Sequence, residues 1–292
     1  MRTKELLIAS AGALLLLGSC DVEDPIHHTA HPNQGKITLT TDWNHIGEGL
    51  AIPASYTVKA ADFSTSMSGI TGMLDYQFEP GNYDLNVYNT AEHVTVNGTT
   101  ATVASAAVPA TETGAFIHNT PGWFFSSSTE VSIEKDKVHQ LTTVMQQQIR
   151  QLTLIVELTG DVTDRVDAFT GTLSGVAGAF DFQNGVYTTP SNVALTFSEI
   201  TDGEHAGKWK ATVRLLGVLG SVQTLKGKIS FTNQAPGVDF DSNLSSSLAL
   251  FNNDKRNPLT LGGTVVETPT EAGFTSTIKE WEIVERDPVI AE

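Results

Sequence analysis

The sequence predicts an all-β protein built as two sandwich domains in tandem. Three observations carry this. Apolar and polar residues alternate in short runs, the period of a half-buried strand. Turn residues recur between those runs at short spacing. No segment sustains a helical period beyond a few turns.

The elements follow in order. Ile37, Leu39 and Thr41 alternate with Thr38, Thr40 and Asp42, so a strand starts at Lys36. A Pro80-Gly81 turn introduces a second alternating run over 83–88. Val94-Thr95-Val96, then Asn97-Gly98, then 99–103 is a hairpin signal, because Asn-Gly supplies the positive φ of a tight primed turn. Residues 130–133 read as another short strand. Over 138–158 the Gln146-Gln147-Gln148 run suits a helix, but Leu141, Thr143 and Met145 alternate, and Leu152, Leu154, Val156 and Leu158 alternate more strictly. Two strands are expected there, the second half-buried. Strands are also expected over 172–176, 193–197, 208–216, 222–231 and 274–284, with Ile278, Trp281 and Ile283 in the core near the end. The charged run Glu134-Lys135-Asp136-Lys137 places the division between an N-terminal sandwich over 36–137 and a C-terminal one over 138–292.

The first residues read as a signal. Arg2 and Lys4 precede an apolar stretch over 6–18, long enough for a signal core and too short to span a bilayer. It ends in Leu17-Gly18-Ser19-Cys20, the form of a bacterial lipobox, in which the thiol is acylated and the chain is cut before it. Cys20 is the only cysteine, so lipidation is expected there. Residues 1–19 are then a lipoprotein signal peptide and 20–35 a tether. The mature chain has no intramolecular disulfide and no cysteine cluster for a metal. Directly behind Cys20 stands Asp21-Val22-Glu23-Asp24. Such an acidic run resembles the export signal of one lineage of Gram-negative anaerobes, which implies the outer face of the outer membrane.

The whole chain carries a formal charge of −16. Loss of residues 1–19 removes Arg2, Lys4 and Glu5, two positive charges and one negative, and makes it −17. That surface repels phosphate backbones and anionic headgroups alike. Nucleic-acid binding is not expected, and lipid rather than a basic patch would hold the chain to the membrane.

A more specific pattern lies in the second half. Gln151-Leu152-Thr153-Leu154-Ile155-Val156 is followed by Val166 and then by Thr172-Leu173-Ser174-Gly175-Val176-Ala177-Gly178-Ala179-Phe180-Asp181-Phe182-Gln183-Asn184-Gly185. An alternating strand with that glycine-rich signature resembles the fimbrillin-type lipoproteins of the FimB-like minor-subunit family. The resemblance implies a lipobox, two transthyretin-like β-sandwich domains in tandem, and a role in anchoring or capping fimbriae on the cell surface. It implies fimbrial subunits as partners, joined by strand complementation, and no cofactor. Residues 285–292 are short and charged, a poor donor strand, whereas 274–284 could be displaced to serve as one. The glycines also have a plain structural reading: Gly175 and Gly178 permit a bulge or close backbone approach, and Asn184-Gly185 a hairpin turn. In the related shaft subunits an arginine-specific protease trims the N-terminal domain. Here no arginine stands between Cys20 and Arg150, and only Lys36, Lys59, Lys135 and Lys137 offer a basic site. An uncut chain keeps its lipid, which favours an anchor over a polymerising shaft, unless a lysine-specific protease acts at Lys36 or Lys59.

Signatures of catalysis are absent: there is no Gly-x-Ser-x-Gly, no His-Glu-x-x-His and no P-loop. His93, His118, His139 and His205 are scattered, and surface or strand-edge positions are their default. His27, His28 and His31 sit in the tether and read as polar linker. Asp239-Phe240-Asp241-Ser242-Asn243 has the oxygen alternation of a calcium loop, but Leu244 replaces its glycine and Leu250 its final glutamate, so no metal is expected. Trp43, Trp123, Trp209 and Trp281, with Phe124 and Phe125, are core candidates. Exposed on one face, they would instead support the alternative function, a glycan-binding outer-membrane lipoprotein serving nutrient uptake.

Overall fold

The computed structural model describes residues 33–158, 165–232, 237–270 and 273–284. The signal, Cys20, the acidic run behind it, His27, His28, His31 and residues 285–292 lie outside them. In chain order the strands are β1 Lys36–Asp42, β2 Tyr56–Ala60, β3 Phe63–Met67, β4 Thr71–Met73, β5 Gly81–Tyr88, β6 Val94–Asn97 and β7 Thr100–Val103. There follow β8 Phe116–Ile117, β9 Phe125–Ile133, β10 Val138–Val144, β11 Gln146–Gln147, β12 Arg150–Leu158, β13 Val166–Asp181 and β14 Val186–Glu199. The last are β15 Trp209–Leu215, β16 Thr224–Phe231 and β17 Val238–Asn243, then a single helical turn α1 Ser245–Leu248, and β18 Leu259–Thr270 and β19 Gly273–Ile283. No helix among the described residues is long and apolar enough to cross a membrane.

These strands enclose two apolar cores. The smaller lies between a sheet of order β10-β1-β4 and one of order β11-β9-β5-β2-β3. Strict alternation builds it: Ile37 and Leu39 of β1 and Leu85 and Val87 of β5 are fully buried, while their neighbours face outward. Each such side chain contributes about 1.5–3 kcal/mol by leaving water.

The larger core is wrapped by a ring of ladders in the order β13-β16-β17-β19-β18-β12-β15-β14, closed by pairing of β14 with β13. Two seams in the ring are thin. β17 meets β19 at one pair, Phe240 with Ser276, and β14 meets β15 at two. The ring is therefore a flattened sandwich of two four-stranded sheets. Strand β12 sits centrally in one of them, between β15 and β18. It is more deeply covered than its alternation predicts, since Thr153 and Ile155 are buried along with Leu152, Leu154, Val156 and Leu158.

The division expected between 137 and 138 is not where the cores divide. β10 runs parallel to β1 over its full length, Lys36 opposite Val138 through Asp42 opposite Val144, and stays with the smaller core. The hairpin β6–β7 and the short β8, in contrast, join the larger sheet through β13 and β14. The chain crosses between cores where adjacent side chains turn to opposite sides. Phe124 belongs to the larger core and Phe125 to the smaller, and Trp123 packs against both. Met145 belongs to the smaller core and Ile149 to the larger. Buried Asn89 fastens the first crossing: its Oδ1 accepts from the Phe125 N–H at 2.7 Å and its Nδ2 donates to the Trp123 carbonyl at 3.0 Å.

The glutamine run fastens the second crossing. Gln147 Oε1 accepts from the Gly47 N–H, and its Nε2 donates to the carbonyls of Ile149 and Lys255. Arg150 is buried, donating to the carbonyls of Asn257 and Phe251 and lying 5.0 Å over the Phe251 ring. Lys255 Nζ donates to the carbonyl and Oε1 of Gln148 and sits 4.4 Å from the Phe180 ring centre and 5.0 Å from that of Tyr187. The residue keeps a minority of its surface in water, but its ammonium is enclosed by rings and amides, and this desolvation pulls its pKa from 10.5 to about 7.

The turn chemistry is as the residues require, with one refinement. In the β6–β7 hairpin Asn97 pairs with Thr100, so the two-residue turn is Gly98-Thr99, with positive φ at Gly98 alone. That is the glycine-first primed turn rather than Asn-Gly as its centre. Gly175 lies at φ +72° at a bulge in the β13–β14 ladder, where the register shifts between Leu173 and Val176. A Cβ there would stand 2.3 Å from the Val222 carbonyl oxygen. Gly178 lets β13 approach Ser191 and Thr189, and Gly185 closes the β13–β14 turn at φ +68°.

This packing sets two expectations for stability. Gly175→Val is expected to cost at least about 2 kcal/mol, combining backbone strain with overpacking, measured by urea unfolding. For Lys255, the folded pKa lies below the unfolded one, so the unfolded chain binds the extra proton and stability rises with pH between about 7 and 10.5. Lys255→Met is expected to remove that rise and to stabilise the chain most at pH 7 and below, read from unfolding midpoints across pH.

Candidate functional site

A protein made of sheets offers its edges as binding sites, because an edge strand carries unpaired N–H and C=O groups. Most edges here are blunted. β4, β8 and β11 are two or three residues long. β3 is five residues long, and residues 68–70 lead from its end toward β1, accepting from Tyr56 Oη at Gly69 and from the Thr41 N–H at Ile70. β6 is four residues long and ends in its own tight turn. β10 differs: it is seven residues long, and among the described residues its ladder runs to β1 alone.

The C-terminal hairpin is the other element with a bearing on assembly. β19 pairs antiparallel with β18 from Leu261 opposite Ile283 to Thr270 opposite Gly273. Its β17 seam is held by the single pair noted above and by side chains. Ser242 Oγ donates to the Ile278 carbonyl at 2.7 Å and accepts from Trp281 Nε1 at 2.8 Å. Ile278 is buried and Trp281 packs on the core, as expected, whereas Ile283 is 69 % exposed. The register sets Ile283 opposite fully buried Leu261, at the last position of the strand, and nothing in the ladder accounts for its exposure. β18 itself was not legible, since Gly262, Gly263 and Pro269 read as breakers; the glycines leave room for Trp281, Ile278 and Val284.

The polar residues singled out from the sequence are placed as follows. His93, at φ +56°, stacks on His118 with ring centres 3.5 Å apart, and its Nε2 lies 3.3 Å from Glu92 Oε1. His118 is held below the usual imidazole range, first by burial and then by His93, with Arg214 adding to the effect and Glu92 opposing it. Its Nδ1 accepts from the Thr120 N–H, so the pair is occupied structurally. His139 Nε2 accepts from the Glu134 N–H, and His205 lines a shallow cleft with Lys208, Glu157 and Gly262. Asp239, Asp241 and Asn243 lie on β17, pointing outward from a straight strand beside Lys226 and Lys228 of β16. A strand cannot curl their oxygens around one cation, and no metal-binding cluster occurs among the described residues.

The aromatic residues divide between the cores. Trp43 and Phe125 are buried in the smaller, Phe124 and Trp209 in the larger. Trp123 is half-buried beneath the Arg214 guanidinium at 5.2 Å. They form no exposed stacking face of the kind the glycan alternative needs. The residues that sequence reasoning missed are Asn89, Arg150 and Lys255, because a polar staple between cores has no periodic signature.

Comparison with known proteins agrees with the fold. Three solved structures are similar. One, of a candidate adhesin from Bacteroides ovatus, is 14 % identical and aligns over 88 % of this chain and 94 % of its own, with a TM-score of 0.59. Another, of the fimbrial anchor protein Mfa2 from Porphyromonas gingivalis, is 11 % identical over 86 % of this chain and 97 % of its own, with a TM-score of 0.57. A third, from Bacteroides thetaiotaomicron, described as a candidate polysaccharide-binding protein, is 8 % identical over 86 % and 99 %, with a TM-score of 0.50. At these identities the likeness concerns fold alone. A search of curated proteins found no match. The model of the fimbrillin-A associated anchor proteins Mfa1 and Mfa2 matches residues 49–287, most of the chain, and the chain belongs to that family.

Proposed function

We propose that this protein is a cell-surface fimbrial anchor or minor structural subunit, held to the outer membrane by lipid on Cys20 and joined to fimbrial subunits by strand addition. The observation that carries the reading is the anchor-family match over residues 49–287. Two features support it. The lipobox at 17–20 supplies the membrane attachment. The first arginine after Cys20 is Arg150, which is buried and held by two carbonyls, so an arginine-specific protease has no accessible site on which to separate the lipid from the fold.

The direction of strand exchange follows from β19. That strand is the donor the residues suggest, yet it is paired with β18 from Gly273 to Ile283 and carries Ile278 into the core. Lending it to a neighbour would open the larger core, at a cost of several kcal/mol. In this reading the chain receives a strand and keeps its own.

The test is mass spectrometry of the surface and of purified fimbriae from cells expressing the wild type or Cys20→Ala. The expected result is an acylated peptide beginning at Cys20 and an uncut chain at low stoichiometry in wild-type fimbriae. Cys20→Ala is expected to shed fimbriae into the medium with the chain still attached. Fimbriae that stay on Cys20→Ala cells, or contain no copy of the chain, would overturn the reading.

A further inference from the structure

We infer that the outer edge of β10 is the strand-accepting site, and that its occupant is an uncharged extended segment of a fimbrial subunit. This rests on the anchor reading above and names the surface on which it acts.

The backbone defines what is free. The Lys36 N–H donates to the Lys137 carbonyl, and the Met145 N–H donates to the Asp42 carbonyl. In a parallel ladder the odd-numbered residues of this strand therefore face β1. Val138, Gln140, Thr142 and Val144 direct their N–H and C=O groups away from it, and no strand among the described residues pairs on that side. The edge also lacks the usual protection. Exposed edges are guarded by charges, proline, bulges or brevity. β10 has none of these, and residues 138–149 contain no Asp, Glu, Lys or Arg in a chain with 33 acids. Val138 is 50 % exposed at its start.

The side chains state what fits. His139 and Leu141 point between the sheets and are only half-buried, Leu141 packing on the smaller core, while the next inward residue, Thr143, is buried and bonded to Ser127 and Thr129 of β9. An added strand would set alternate side chains beside Leu141 and close that mouth, so apolar residues are favoured at those positions. Its other side chains would lie level with Val138, Gln140 and Thr142, where small polar or β-branched residues suit a sheet surface. A charged segment would gain no partner along the strand and would lose hydration.

The test uses the full chain on cells. In Gln140→Pro/Thr142→Pro both substitutions remove outward N–H groups and leave the β1 ladder untouched, the one setting in which an edge strand tolerates proline. The expected result is cooperative unfolding close to that of the wild type, lipidated chain still on the cell, and at least a tenfold loss of retained fimbriae, which are shed without the chain. Cys20→Ala differs, shedding fimbriae and chain together. Retention at the wild-type level by the folded proline variant would overturn the edge assignment while leaving the anchor reading intact. If the proline variant unfolds, Gln140→Lys/Thr142→Lys is read by the same retention assay: a tenfold loss supports the edge and wild-type retention overturns it. Failure of Cys20→Ala to shed fimbriae would sink the anchor reading itself.

Discussion

The rest of the structure depends on one constraint: a single chain fills two cores while passing back and forth between them. At each passage the backbone must leave a sheet, and its N–H and C=O groups lose their ladder partners. Buried groups without partners are costly. Asn89 supplies them at the Trp123–Phe125 passage, and Gln147, Gln148, Arg150 and Lys255 at the Met145–Ile149 passage. Apolar side chains of consecutive residues then point to opposite cores, so neither core can shift without moving the other.

Lys255 shows how the staple is tuned. It has no ion-pair partner among the described residues, and two aromatic rings and an amide take that role. Cation–π contacts and charge-assisted hydrogen bonds recover part of the desolvation cost, not all of it. The lowered pKa is the remainder.

Closure and openness are distributed unequally. The larger core is ringed by ladders with two thin seams, and the one at β17 is fastened by Ser242 and Trp281. The smaller core is a sandwich whose flank between β9 and β10 is crossed by the turn at 134–137 and by hydrogen bonds of Thr143 with Ser127 and Thr129, with no backbone ladder.

Much of this was written in local pattern. Alternation in 36–42, 83–88 and 152–158 determined those strands, because inward and outward side chains differ by two residues wherever one face is buried. Gly98, Gly175 and Gly185 determined their turns and bulge, since other residues meet a steric penalty at positive φ. The lipobox and the acidic surface charge were likewise legible in the residues, as expectations of attachment and of partners excluded. What only the tertiary structure decided was which strand lies beside which. The placement of 94–117 against the larger sheet, the retention of β10 beside β1 and the burial of β12 on both faces all depend on long-range pairing. Pairing between strands a hundred residues apart is set by the shape of the enclosed core, and no local period records it.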